Sequence, residues 1–306
     1  MNNFIDYFYN IKVDKIDFNN KYYSFIFNGY NYRLYIIDDN ININFIVNLN
    51  KRMLSYTLTS EIINNKDNKY ISNYNNIDYI LIKIYANIDK PISIKEISYL
   101  ANYLYSDKVK VNWGLLWSKK IDYLEEMINE NSKKYPLLVD SFNYFVGMAE
   151  NAISYYNDII INDNYKLFIS HKKIRFNDTT ECLYNPLNII FDYKVRDIAE
   201  YIKNAFFLNN KNIFNELDYY LKNNYLNITD IKLLVSRLLY PSFYFDLYED
   251  ILIIGKNEKI ITSIINKLPQ YEKYLANIIN YLKKTYDIPD ISWLNNIYNI
   301  EKKKEV

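Results

Sequence analysis

Apolar and polar positions alternate through most of the first 88 residues, then recur at helical spacing for most of the rest. Tyr22 to Phe27 and Tyr32 to Ile37 flank Asn28-Gly29-Tyr30-Asn31 and predict a β-hairpin. Leu49 to Ile63 is expected to be a helix, although it carries Thr and Ser. Tyr70 to Tyr74 and Tyr79 to Tyr85 return to strand character around an Asn75-Asn76 turn. The pattern breaks at Ile88-Asp89-Lys90-Pro91, because proline disfavours helix at the residue before it. Ser93 and Glu96 then form a capping box ahead of Ile94, Ile97, Leu100, Ala101 and Leu104. Helices are predicted over Trp117 to Ile128, over Asp140 to Tyr156, on the stripe Val195, Ile198, Ala199, Ile202, Phe206, over Ile231 to Leu239 with Pro241 as the stop, and over Glu272 to Leu282. Two short apolar runs, Tyr165 to Ser170 and Leu187 to Phe191, interrupt the helices and enclose a polar loop centred on His171. The expected organisation is α+β, with a small β-rich lobe over 1–88 and a large mainly helical lobe over 89–306. A cleft between two lobes is a natural ligand site.

Composition narrows the chemistry. The 37 Lys and Arg nearly balance the 36 Asp and Glu, so nothing electrostatic calls for nucleic acid or an anionic membrane as partner. The tail Glu301-Lys302-Lys303-Lys304-Glu305 reads as a solvated end. The single cysteine, Cys182, excludes an internal disulfide and a cysteine-based zinc site. The N-terminus lacks the basic-then-apolar order of a signal peptide, and no run of 18 uncharged apolar residues predicts a membrane span, so the cytoplasm is the expected compartment. The excess of Asn, Ile, Lys and Tyr is that of A+T-rich codons, so many of the 35 tyrosines are expected to be ordinary core or rim residues. Only Gly29, Gly114, Gly147 and Gly255 occur, and none is near another. A P-loop, a dinucleotide-binding fingerprint and a kinase-type glycine-rich loop, which need clustered glycines, are therefore absent. There is no Gly-x-Ser-x-Gly elbow and no His-Glu-x-x-His, and a Cys182–His171 pair would lack an orienting third group.

The stretch Phe168-Ile169-Ser170-His171-Lys172-Lys173-Ile174-Arg175-Phe176-Asn177-Asp178 runs from a strand into a loop, and is followed by Ile189-Ile190-Phe191-Asp192-Tyr193 and Val195-Arg196-Asp197-Ile198-Ala199-Glu200-Tyr201. In this order the chain resembles the protein-kinase-like superfamily, in its aminoglycoside-phosphotransferase and spore-coat branch. Leu116 to Asp122, Ser141 to Ile153, Val195 to Tyr201 and Ser236-Arg237-Leu238-Leu239-Tyr240-Pro241-Ser242-Phe243-Tyr244-Phe245-Asp246 look like the YutH-type spore coat proteins of the CotS group. The resemblance runs from about Trp113 to the last helices.

It implies a bilobal kinase-like fold with Mg²⁺ and ATP as cofactors, a catalytic carboxylate two residues after His171, and metal ligands at Asn177 or Asp178 and at Asp192. Lys173 stands where that carboxylate belongs, and an ammonium cannot take a proton from a nucleophile. The strand lysine that holds ATP phosphates has no clear counterpart. Arg33 is the nearest cation on an expected strand. Each candidate also has a plain structural reading: His171 as a hydrogen-bonding residue, Asp192 as a carboxylate satisfied by backbone N–H groups, and Asp197 as a tie between its helix and the His171 loop. Lys172, Lys173 and Arg175 are either an anion site or a solvated loop. The expected function is that of a degenerate kinase-like binding or scaffold protein with protein partners, without nucleic acid, and associated with the spore coat if the source sporulates. The alternatives are an active small-molecule phosphotransferase and an ATP sensor without turnover.

Overall fold

The computed structural model describes all residues except 20–21, 38–40, 56–58, 86–89, 104, 107–110, 175–177, 296 and 298–306. In chain order the elements are α1 (Asn2–Tyr9), β1 (Asp17–Phe18), β2 (Tyr22–Phe27), β3 (Tyr30–Ile37), α2 (Ile43–Leu54), β4 (Ser60–Ile63), β5 (Ser72–Tyr74) and β6 (Ile77–Ile84). There follow α3 (Ile94–Tyr103), β7 (Tyr105–Ser106), α4 (Trp113–Asn131), α5 (Pro136–Asn157), β8 (Leu167–His171), α6 (Thr180–Tyr184), a 3₁₀ turn (Pro186–Asn188) and β9 (Ile189–Asp192). The chain ends in α7 (Arg196–Phe207), α8 (Ile213–Asn223), α9 (Ile228–Leu239), α10 (Ser242–Ile254), α11 (Ile260–Ile265) and α12 (Leu268–Lys283). Two compact units emerge: Met1–Ile92 with Asn177–Ile189, and Ser93–Phe176 with Ile190–Val306.

The first unit is built on an antiparallel sheet of order β1-β2-β3-β6-β4, with β5 also on β6. The β2–β3 hairpin turns on Asn28 and Gly29, both at positive φ (48° and 77°), so β3 starts at Tyr30 and the expected four-residue connection shrinks to two. Central β6 is buried on both faces, which is why its sequence reads as an apolar run. Tyr79 and Leu81 pack with Phe4 and Ile5 of α1, while Ile80, Ile82 and Ile84 pack with Ile46 and Val47 of α2. The helix expected over 49–63 is corrected: α2 begins six residues earlier, capped by the Asn42 side chain on the Phe45 N–H, and Ser60–Ile63 is strand. The β-branched and hydroxyl residues that weakened the helical pattern mark the exit from the helix, and Ile62 is needed on the sheet.

The second unit centres on α9. Its residues Ile231, Leu233, Leu234, Val235 and Leu238 are fully enclosed, and its Asp230, Ser236 and Arg237 are buried with them. Asn227 and Asp230 form a reciprocal capping box at its start, and Pro241 follows its end. The Ser93–Glu96 box also forms: the Ser93 N–H and Oγ–H donate to Glu96 Oε2 at 3.2 and 2.9 Å. α4 and α5 begin earlier than the apolar stripes suggest, at Asn112 as cap and at Pro136 in the first turn. β7, β8 and β9 make a small sheet in that order. His171 is the last residue of β8 rather than the centre of a loop, and is enclosed.

Candidate functional site

Arg33 sits on β3 within the first unit. Its Nε donates to Glu181 Oε1 at 3.1 Å, and its guanidinium lies 5.1 Å from the Tyr22 ring. Glu181 belongs to α6 and also accepts from the Tyr35 hydroxyl at 3.3 Å, while Asn185 Nδ2 donates to the same hydroxyl at 3.1 Å. Ser60 Oγ donates to the Tyr184 carbonyl. The 178–189 segment thus covers this face of the sheet. The space left among Tyr35, Ser60, Ile82, Ile84, Glu181 and Tyr184 is only about 10 Å³, the room of about one water. Asp178 lies in the same unit and accepts a long hydrogen bond (3.5 Å) from Cys182 Sγ. Asn177 and Arg175 lie outside the described residues.

The remaining candidates lie in the second unit. The His171 backbone N–H donates to Asp197 Oδ1 at 3.0 Å, and His171 Nδ1 stands 2.6 Å from Asp197 Oδ2. The end of β8 is thereby fixed to the first turn of α7, where the helix dipole favours a carboxylate. Asp192, 2% exposed at the end of β9, accepts from Trp113 Nε1 (2.9 Å) and the Tyr193 N–H (2.7 Å) on Oδ1, and from Arg196 Nη1 (2.6 Å) on Oδ2. Arg196 spends its other nitrogens on the carbonyls of His171 and Lys172, both at 2.9 Å. Lys173 pairs with Asp246 at 3.1 Å and approaches Glu249 at 3.6 Å.

Glu200 and Arg237 lie within the family-like motifs and Lys203 just beyond one, with no role evident from the sequence. Glu200 Oε1 accepts from Lys203 Nζ (2.9 Å) and Arg237 Nε (2.7 Å), and Oε2 accepts from Ser242 Oγ (2.6 Å). Burial alone would raise the Glu200 carboxyl; Lys203 and Arg237 overcome it and hold the group down at about 2. Burial pushes the Lys203 ammonium down to about 8, against the pull of Glu200. The Arg237 guanidinium also lies 5.1 Å from the Trp113 ring and 5.7 Å from Trp117. An arginine within the apolar run Leu233 to Leu239 of α9 was the available signal, since such a cation is enclosed only when paired. Among the described residues no three His, Cys, Asp or Glu side chains group as a metal site, and no helix is long and apolar enough to cross a membrane.

The antiparallel sheet with its helices, followed by the β8–β9 strands and the helical second unit, defines a protein-kinase-like α+β fold. Solved phosphotransferases share it at low identity. An aminoglycoside phosphotransferase from Alicyclobacillus acidocaldarius superposes with a TM-score of 0.59 at 10% identity, covering 89% of this chain and 93% of that one. An amicoumacin kinase, in complex with AMP-PNP, Ca²⁺ and Ami, gives a TM-score of 0.56 at 10% identity, covering 94% of this chain and 93% of that one. The chain belongs to the family described as spore coat putative kinase YutH, whose model matches residues 2–283. The endospore coat-associated protein YutH of Bacillus subtilis is 30% identical over 207 residues, 60% of this chain. The chain spans 61% of that relative's length.

Proposed function

We propose that this chain is a catalytically degenerate kinase-like protein that works by binding, as a spore-coat-associated scaffold where its source sporulates. The observation that carries the reading is the engagement of Asp192 by three donors, one of them a guanidinium. The carboxylate matched to the superfamily's metal ligand already holds an indole N–H, a backbone N–H and a guanidinium. A Mg²⁺ ion there would have to compete with the charge-assisted Arg196 bond, the strongest of the three, and would sit beside its guanidinium charge. Lys173 at the catalytic-base position, and Arg33 turned to Glu181 rather than free for phosphate, support the same conclusion. The name of the Bacillus relative supports the coat association and, with it, protein partners. Aminoglycosides are polycations, and the pocket that Lys173 lines has five basic residues against two acidic ones, the wrong sign for such a substrate.

Thermal unfolding with and without Mg²⁺-ATP tests the proposal. A ligand at 100 times its dissociation constant adds about 2.7 kcal/mol to a state that binds it, a readily seen shift. No shift at millimolar Mg²⁺-ATP is expected. A shift that disappears in Asp192→Asn would sink the scaffold reading and leave a nucleotide sensor or an active phosphotransferase.

A further inference from the structure

Helices α4, α7, α9 and α10 and the residues after His171 enclose a pocket of about 220 Å³ within the second unit. Its apolar wall is Trp113, Leu116, Trp117, Ile174, Tyr240 and Phe245. Its charged lining is Lys120, Lys172, Lys173, Arg196 and Arg237 against Glu200 and Asp246. The groups paired behind that lining are Lys203, Asp192 and Glu249, and counting them still leaves a positive excess.

Most of these charges are spent. Arg196 is fully hydrogen-bonded, Lys173 pairs with Asp246, and Lys120 pairs with Glu249. Two cations are not. Lys172 is exposed, and its ammonium makes no ion pair among the described residues. Arg237 is only 6% exposed, yet just its Nε is hydrogen-bonded, to Glu200. Its two Nη groups have no hydrogen-bond partner among the described residues, although the side chain lines the pocket. The Nη groups are not sealed within the protein but open onto the pocket, where a ligand oxygen can take the place of water as their acceptor. The pair of Nη groups presents the fork that matches the two oxygens of a carboxylate. The Trp113 and Trp117 rings hold that fork in place.

We infer that this pocket binds a carboxylate carried on an apolar or aromatic body, with Arg237 as the fork, Lys172 as the second cation, and the aromatic wall taking the body. The inference goes beyond the scaffold reading and does not depend on it, because every group involved lies in the second unit and none is assigned to nucleotide. The carboxylate has two sources, a small free acid or an acidic side chain of a protein partner.

The test is a titration of the full chain with hydrocinnamate, read by tryptophan fluorescence. Two of the three tryptophans line the pocket, and Trp293→Phe removes the third as background. A saturable change with hydrocinnamate and none with its uncharged amide is expected, unaltered by Mg²⁺-ATP. Lys172→Glu is expected to weaken binding about fivefold or more, as for reversal of an exposed charge. Arg237→Gln should abolish it. Because Arg237 also holds Glu200, that variant risks misfolding, and the exposed Lys172 keeps the test decisive. A blocked peptide with one glutamate between phenylalanines separates the sources. Tighter binding of the peptide assigns the pocket to a protein partner, and tighter binding of hydrocinnamate assigns it to a free acid. Equal responses to acid and amide, or binding unmoved by Lys172→Glu, would overturn the inference.

Discussion

Asp192 and Arg196, four residues apart, meet at 2.6 Å where β9 gives way to α7, and the same guanidinium ties off the carbonyls of His171 and Lys172. One side chain thus neutralises the carboxylate matched to a metal ligand and closes the chain just after β8. Burial lowers the Arg196 pKa, an enclosed charge whose nearest compensation is Asp192. Removing one member of such a pair leaves the other uncompensated. Arg196→Gln should therefore cost about 3 to 5 kcal/mol. Urea unfolding checks it: the midpoint should fall with an unchanged slope. A loss under about 1 kcal/mol, the worth of an exposed pair, would show the bond to be incidental.

His171 and Asp197 make a second tie between the same elements. Asp197→Ala would orphan the His171 N–H and the facing ring nitrogen in an enclosed site. A loss of about 3 kcal/mol is expected. Asp197→Asn keeps an acceptor for the backbone N–H and should lose less. Denaturant titration of the two variants side by side separates them, and equal losses would mean that the hydrogen bond to the backbone contributes little.

The Glu200–Lys203–Arg237 cluster makes stability depend on acidity. The Glu200 carboxyl is held from its ordinary 4.5 down to about 2 in the folded chain, against the raising effect of burial, by Lys203 and Arg237. A depressed acid contributes stability that is complete above its unfolded value and is lost as pH falls toward the folded one. The affected window is therefore about pH 4.5 down to 2, with a loss on the order of 3 kcal/mol across it. Glu200→Gln should be less stable at neutral pH, and the difference from the parent chain should shrink as the pH falls through that window. Thermal midpoints collected across the window test it, and parallel curves for parent and variant would refute it.

The α+β order of elements was legible because its signals are local and periodic: an Asn-Gly turn between alternating strands, a Ser-x-x-Glu box after a proline, and α9 stopped by Pro241. The kinase-like fold was legible only through the resemblance carried by the His171, Asp192 and Asp197 stretches. What escaped depends on partners distant in sequence. Helix α1 is only eight residues long and is held by packing Phe4 and Ile5 against Tyr79 and Leu81, which its own sequence does not announce. The start of α2 at Ile43 was not recognised in the sequence, and the structure reveals Asn42 as its cap. At the site, Lys173 was legible because it is a property of one position. The three-donor engagement of Asp192 was not, because Trp113 lies 79 residues away. The open fork of Arg237 likewise depends on Glu200 taking its Nε from another helix.

The asparagine excess, expected from codon usage alone, also has a structural use. Among the described residues, Asn10, Asn28, Asn68, Asn75, Asn76 and Asn209 all take positive φ, a conformation proteins usually give to glycine. With four glycines in 306 residues, asparagine is the next best choice, since its short amide tolerates left-handed backbone. Asn10 ends α1 at φ 54° and ψ 35°, with its N–H donating to the Asp6 carbonyl, and its side chain is exposed. Asn10→Gly should stabilise the chain by about 0.5 kcal/mol through relief of left-handed strain, less the entropy gained by the unfolded chain. Asn10→Ala should cost about 1 kcal/mol, because alanine has the Cβ penalty without the local polar compensation. Chemical denaturation of both variants decides the matter. An Asn10→Ala chain as stable as the parent would mean that α1 frays at Asn10 and that the left-handed cap contributes nothing to folding.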